Sequence, residues 1–324
     1  MITLKNLIIH QRSCSTTFTF KPPATLLGSF NCDSFNLAKV LMRSRSFMQV
    51  DVFTAVATLG NPLAVVLDGT DLSAEQMQAF AAWTNLSETT FVLPPQNPAA
   101  DYRVRIFTPA AELPFAGHPT LGTCHAWLQS GNKPKNAGRV VQECTVGLIQ
   151  IRLTDRPAFE APPMIQTKPD SAVLLQICHA LGISLDSIKA SCILNNGPVW
   201  WGLLLDSAST VLAIKPDHNA LAKLPKIGVI AAHPLGTAHA DFEVRAFAAS
   251  VGVPEDPVTG SLNASLAQWL ISLGRAPTNY CAAQGSAIGR AGRVWIESES
   301  NAAGQLTVWV GGDSVTCITG QVNL

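Results

Sequence analysis

Two similar stretches, Pro114-Phe115-Ala116-Gly117-His118-Pro119-Thr120 and Asp256-Pro257-Val258-Thr259-Gly260-Ser261-Leu262, constrain the fold more than any other feature of the chain. Each runs straight into a helical pattern of apolar residues: Leu121, Cys124 and Leu128 before Gly131 in the first, and Leu262, Leu266, Trp269, Leu270 and Leu273 before Gly274 in the second. Upstream, Arg105-Ile106-Phe107 precedes the first stretch and Arg245-Ala246-Phe247 the second, each followed by a loop containing Pro. A duplicated strand, loop and helix is the economical reading.

The rest of the composition narrows the class. A chain of 324 residues that is 47% hydrophobic and 14% charged can bury substantial cores in two domains of ordinary size. Formal net charge is zero and no basic stripe is interleaved with aromatics, so charge points to neither nucleic acid nor an anionic membrane. A small-molecule partner is the default. The eight cysteines (Cys14, Cys32, Cys124, Cys144, Cys178, Cys192, Cys281, Cys317) show no Cys-x-x-Cys or zinc spacing, which suits the reduced thiols of a cytoplasmic protein. No apolar run approaches the roughly 20 residues that span a bilayer.

Residues 1–47 carry Lys5, Arg12, Lys21, Lys39, Arg43 and Arg45 against Asp33, with many Ser and Thr and no period. They read as an N-terminal extension, either an organelle-targeting segment or the result of a start upstream of Met48. From Met48 the pattern becomes regular. Gln49–Thr54 and Leu63–Leu67 read as a hairpin-like pair of strands around Gly60-Asn61-Pro62, and Ser73 with Gln76 predicts a capped helix carrying Met77, Phe80 and Ala81. Strands are expected at 85–93, with Glu88 at the entrance, at Tyr102–Phe107 and at 140–153, interrupted by Gly147. A Pro-rich passage (Pro157, Pro162, Pro163) sets the expected boundary between a first lobe, 48–160, and a second, 161–311. In the second lobe a helix capped by Asp170 and closed by Gly182 precedes strands at 191–195, 200–205, 227–232, 241–247, 294–297 and 306–311. Residues 312–324 are expected as a C-terminal strand returning to the first lobe. Strands outnumber helices, with one long central helix per half, and the class is α+β.

The start of a helix offers unpaired backbone N–H groups and a partial positive charge. Gly117-His118 and Gly260-Ser261 are therefore natural carboxylate-binding or oxyanion-stabilising positions, and two facing helix ends would hold one anionic substrate. The plainer alternative is ordinary capping, with Ser261 as an N-cap and Gly117 as a tight turn. Glu88, among Leu86, Phe91 and Val92, is a candidate general acid or base because an apolar setting raises a carboxyl pKa. As a single residue it is equally an exposed strand-end Glu. Asp256 is suited to holding a loop or orienting an imidazole, and His118 at a helix start would be kept neutral. Phosphate loop, dinucleotide fingerprint, Gly-x-Ser-x-Gly elbow and metal-ligand cluster are all missing from the sequence.

Six motifs occur in order: Asp51-Val52-Phe53-Thr54, Gly60-Asn61-Pro62, 85–91 (Asn-Leu-Ser-Glu-Thr-Thr-Phe), 114–122, Glu255–Ser261, and Gln284-Gly285 followed by Gly289-Arg290. Together they resemble the PhzF-like (phenazine biosynthesis) family of isomerases, from about Met48 to the C-terminus. The resemblance implies the diaminopimelate-epimerase fold, two similar lobes that are each a curved, mostly antiparallel sheet or open barrel around a central helix, with the site between them. It implies that Glu88 shuttles a proton, that His118, Asp256 and Ser261 complete the catalytic set, and that Gly117, Gly260, Gln284 and Gly285 bind substrate. No metal or organic cofactor would be needed, and a homodimer is the expected assembly. Epimerases of this fold carry a Cys at each helix start, whereas His118 and Ser261 stand here, which disfavours a thiol-pair racemase. The implied activity is migration of a proton between carbons of a small carboxylate; a two-base epimerase and a catalytically silent anion-binding protein are the alternatives.

Overall fold

In the computed structural model, which describes residues 42–236, 239–300 and 306–324, the first strand begins at Ser44 rather than at Met48. This corrects the boundary expected at residue 47: Arg45 is buried, and its guanidinium donates to the carbonyls of Asp68 and Thr70. The rest of the expected extension, up to Leu41, lies outside the described residues. A charged residue inside a Ser- and Arg-containing run gave no sign of belonging to a strand, because its burial depends on carbonyls more than twenty residues downstream.

The first lobe runs β1 (Ser44–Val52), β2 (Asn61–Val66), α1 (Ala74–Thr84), β3 (Glu88–Leu93), β4 (Tyr102–Phe107), β5 (Glu112–Leu113), α2 (Gly117–Gln129), β6 (Arg139–Cys144), β7 (Gly147–Arg152) and β8 (Ala158–Glu160). Local signals explain most of these limits. Ser73 and Gln76 form the reciprocal capping box of α1, and Asn85 closes it in the left-handed region. The expected strand over 140–153 is a hairpin, turned at Gly147 with φ +112°.

The second lobe follows with β9 (Ile165–Thr167), α3 (Ser171–Leu181), β10 (Ile188–Asn195), β11 (Val199–Leu205), α4 (Ala208–Ala213), α5 (His218–Leu221), β12 (Ile227–Ala232), β13 (Phe242–Ala248), β14 (Val253–Asp256), α6 (Gly260–Ser272), β15 (Asn279–Gln284), β16 (Gly292–Ser300) and β17 (Leu306–Gly311), and the chain ends in β18 (Ser314–Asn323). Asp170 caps α3 and Gly182 ends it.

Pairing repeats between the halves. β1–β2 is antiparallel, β2–β3 parallel, β3–β4 antiparallel, β4–β6 parallel and β6–β7 antiparallel. β10–β11, β11–β12, β12–β13, β13–β15 and β15–β16 follow the same sequence of directions. The ends are knitted together: β18 pairs with β1, β9 with β10, and β8 with both β7 and β17. The result is an α+β fold of two similar lobes, each a curved sheet with a helix at its heart. That helix is α2 in one and α6 in the other. Leu121, Cys124 and Ala126 of α2 and Leu262, Leu266 and Leu270 of α6 are fully or almost fully buried in one core shared by both lobes, as expected of helices enclosed by sheet. Among the described residues no helix is long and apolar enough to cross a membrane.

The repeated Arg-x-Phe triplets make the same contact twice. Arg105 lies 5.1 Å from the Phe107 ring centroid and pairs with Glu112, while Arg245 lies 5.0 Å from that of Phe247 and pairs with Glu255. In both copies the acid sits opposite the Phe's neighbourhood on the short strand β5 or β14. The copies differ in burial: 27% and 34% of the Arg105 and Glu112 side chains is exposed, against 4% and 6% for Arg245 and Glu255. Water screens the first pair, whereas removing Arg245 strands a buried carboxylate. Arg245→Met is expected to cost about 3–5 kcal/mol in urea unfolding, and Arg105→Met no more than about 1 kcal/mol. Equal losses would refute burial as the cause of the difference.

Candidate active site

The two central helices meet end to end. A Cβ on Gly117 would lie 3.0 Å from Gly260 Cα and 2.7 Å from Phe159 Cζ, and one on Gly260 would lie 3.1 Å from the His118 nitrogen. Only glycine fits at both first positions. The N-caps are Ala116 and Thr259, and neither makes a side-chain capping hydrogen bond. Ser261 is therefore not the N-cap that the capping alternative required. It is one residue inside α6, where its Oγ accepts from the indole N–H of Trp200 at 3.2 Å and its carbonyl accepts from Asn196.

Asn61 joins the lobes above this junction. Gly60 approaches Val52 so closely that a Cβ would sit 2.2 Å from its carbonyl oxygen, and the Gly60 N–H donates to Asp51. That turn delivers Asn61, fully buried, to the start of β2. Its Nδ2 donates to Asp256 Oδ1 and to the Val258 carbonyl, both at 2.8 Å, and lies 3.4 Å from His118 Nδ1; its Oδ1 accepts from Ser87 Oγ at 3.1 Å. Thr259 Oγ1 donates to the other Asp256 oxygen at 2.6 Å. Both carboxylate oxygens of Asp256 are thus occupied by side chains.

Glu88 is the first residue of β3, held in parallel register opposite Leu63 of β2. Its side chain is only 16% exposed, which excludes the exposed strand-end reading. Its Oε2 lies 3.3 Å from His118 Nε2, yet the geometry falls short of a hydrogen bond and neither atom has another protein partner. Burial, then the Asp256 charge, push Glu88 up to about 8 against the lowering influence of the nearby Ser87 hydroxyl and the charge of Lys226. Burial pulls His118 down to about 3, so its ring is neutral at physiological pH. Asp256 rises to about 6, again mainly by burial, opposed by its hydrogen bonds to Thr259 and Asn61. Near neutral pH the arrangement offers a largely protonated carboxyl, a neutral imidazole and a tethered carboxylate beside two uncapped helix ends.

Gln284 and Gly285 pack against the 256–260 turn. Gln284 is fully buried, and its amide is saturated by the chain: Oε1 accepts from the Thr259 N–H and Asn263 Nδ2, and Nε2 donates to the Asp256 carbonyl and Thr259 Oγ1. Its side chain braces the 256–260 turn. Gly285, at φ +92°, lets the chain pass Arg290 and the Pro257 carbonyl. An apolar surface depression lined by Phe80, Trp83, Val322 and Leu324 involves none of these residues.

Residues 50–320 match the family described as phenazine biosynthesis-like protein, PhzC-PhzF. The chain belongs to this family. "Antisense-enhancing sequence 1" of Schizosaccharomyces pombe is 37% identical over 298 residues, an alignment covering 86% of this chain and 99% of the relative. The trans-2,3-dihydro-3-hydroxyanthranilate isomerase of Pseudomonas chlororaphis is 36% identical over 284 residues, again covering 86% and 99%. Among solved structures, the phenazine biosynthesis protein of the PhzF family from Bacillus anthracis superposes with a TM-score of 0.76 at 22% identity, covering 87% of this chain and 99% of that one, and shares its fold. Membership in the PhzF family makes this chain an enzyme of the isomerase class.

Sequence reasoning about the PhzF-family site missed Asn61, Thr259, Trp200 and Lys226 as site residues. Asn61 was visible inside Gly60-Asn61-Pro62, where Gly-Asn-Pro reads as a turn and nothing more. Trp200 and Lys226 lie in apolar strand surroundings without a motif.

Glu88 also has a measurable effect on stability. Its folded-state value of about 8 exceeds the ordinary 4.5, so the folded chain keeps a proton that the unfolded chain has released. Stability is therefore lost as pH rises through that window. Glu88→Gln removes the liability. The variant should gain on the wild type by more than about 1 kcal/mol between pH 5 and pH 8 in urea unfolding, and a constant difference would show that Glu88 is not buried as a neutral acid.

Proposed function

We propose that the protein moves a proton between two carbons of a small, unsaturated carboxylate substrate, with Glu88 taking the proton from one carbon and returning it to another. The observation that carries this reading is the Glu88 carboxyl, held near pKa 8 and 3.3 Å from a neutral His118, where two uncapped helix N-termini meet. A carboxylate whose pKa lies near the working pH is poised both to accept and to give up a proton. The backbone N–H groups of the α2 and α6 first turns supply donors for the substrate's negative charge, including the charge that develops as the proton leaves. In this reading the two steps require only one base that becomes an acid, so neither metal nor organic cofactor takes part.

The other side chains follow. His118 donates or accepts a hydrogen bond beside Glu88 without carrying charge, and Ser261 Oγ, already oriented by Trp200, contributes its hydroxyl. Asp256 orients Asn61 and Thr259, since both of its oxygens are engaged.

The relative from Pseudomonas chlororaphis supplies a first substrate to try, trans-2,3-dihydro-3-hydroxyanthranilate. Proton migration in deuterium oxide should place solvent deuterium on substrate or product. Glu88→Gln should abolish that exchange, and kcat/KM should rise with pH to a midpoint near 8 as Glu88 ionises. Full exchange by the Gln variant would remove Glu88 from the role. Inversion at one carbon without migration would identify an epimerase, and tight binding without exchange a silent binding protein.

A further inference from the structure

The repeated strand pairing gives residues of one lobe counterparts in the other, and the counterpart of Glu88 is a lysine. Thr89 pairs with Phe107 on β4, and Ile227 pairs with Phe247 on β13; the two phenylalanines close the matching Arg-x-Phe triplets. Thr89 and Ile227 are therefore equivalent, and so are the residues just before them, Glu88 and Lys226. The same logic pairs Gly117 with Gly260 at the first positions of the two helices. Glu88 and Lys226 thus flank the helix junction from opposite lobes.

Lys226 is half-buried, and its ammonium lies 4.8 Å from the Trp200 ring centroid. The indole N–H of the same Trp200 donates to Ser261 Oγ, which ties the ammonium to the first turn of α6. Among the described residues no carboxylate forms an ion pair with Lys226, and its ammonium donates no hydrogen bond. An aromatic face holds a cation in place without supplying hydrogen-bond acceptors. Three donors on a partly desolvated ammonium are left for something else. Burial pulls the pKa of this ammonium down, while the charges of Asp256 and Glu88 pull it up, so it also senses the groups across the junction.

We propose that Lys226 is a substrate-contacting residue: its ammonium pairs with the acid group of the substrate and so fixes which end of the molecule faces Glu88. The acid end lies on the Lys226 and α6 side, and the proton-bearing carbons lie on the Glu88 and α2 side. The inference rests on the proton-shuttle reading for its orientation, but not for the ion pair itself. It places the substrate class among compounds whose carboxylate remains ionised throughout the reaction, and it makes esters and amides of the same acids poor ligands.

The test is calorimetric titration at pH 7 with benzoate, anthranilate and 3-hydroxyanthranilate, each against its methyl ester. The wild type should bind at least one acid on the order of tenfold or more tighter than its ester. Lys226→Met and Lys226→Gln should lose that preference through weaker acid binding, with ester binding and the thermal midpoint little changed, and Lys226→Arg should restore most of it. An unchanged acid-to-ester ratio in both neutral variants, or no acid binding by the wild type, would overturn the proposal. Glu88→Gln, titrated in parallel, should keep the preference. Deuterium exchange by that variant would end the proton-shuttle reading and leave the Lys226 ion pair standing.

Discussion

Everything in this structure is arranged around two helix N-termini brought into contact. Each carries a partial positive charge of roughly half a unit, and at Gly117 and Gly260 the backbones approach until a single Cβ would collide. Such a meeting is electrostatically unfavourable unless negative charge is close by, and caps at Ala116 and Thr259 do not supply it. The nearby Asp256 carboxylate is the natural counterweight. A bound substrate carboxylate would be a second. The sheet must wrap both helices to hold this junction, and strands β18 and β8 tie the two wrappings together.

Holding the junction fixed has a chemical consequence for the acids beside it. Asp256 stays mainly ionised at neutral pH because Asn61 and Thr259 each donate to one of its oxygens. At Glu88 the lowering influences of the Ser87 hydroxyl and the Lys226 charge are outweighed by burial. Two carboxyl groups near the same helix ends are thereby driven to different protonation states by the number of donors each receives, and not by distance from solvent alone. Gln284 makes the difference durable, since its four hydrogen bonds lock the backbone on which Asp256 and Thr259 sit.

Much of this was legible in the residues, for identifiable reasons. The repeated Gly-polar pairs and Arg-x-Phe triplets announced a duplication, and periodicity located α1, α2, α3 and α6 because their apolar faces are local, as are the caps of α1 and α3. Glu88, His118 and Asp256 do come together. What stayed hidden was non-local. Arg45 belongs to β1 only because distant carbonyls receive its guanidinium, and short pieces such as β5, β8 and β14 are strands only because a partner strand is present. Asn61 looked like a turn residue, since its contacts to Asp256 and Val258 span the two lobes. The four hydrogen bonds of the buried Gln284 amide were hidden too, since their partners lie 21 to 28 residues away in sequence.

The duplication also explains why the chemistry need not be symmetrical. Structural needs are the same in both lobes, and there the residues stayed alike: glycine at each helix start, Arg-x-Phe with an acid on the short strand opposite. Where only the site is served, the copies diverge. His118 stands against Ser261 and Glu88 against Lys226. Register extends the contrast, because Leu113 lies opposite Ile106 as Asp256 lies opposite Ala246, so an apolar residue in one lobe matches the tethered carboxylate of the other. A racemase that treats two faces of one carbon alike is served by matched halves. An isomerase that takes a proton from one carbon and gives it to another has a substrate with two distinct ends, and unlike walls are what such a substrate requires.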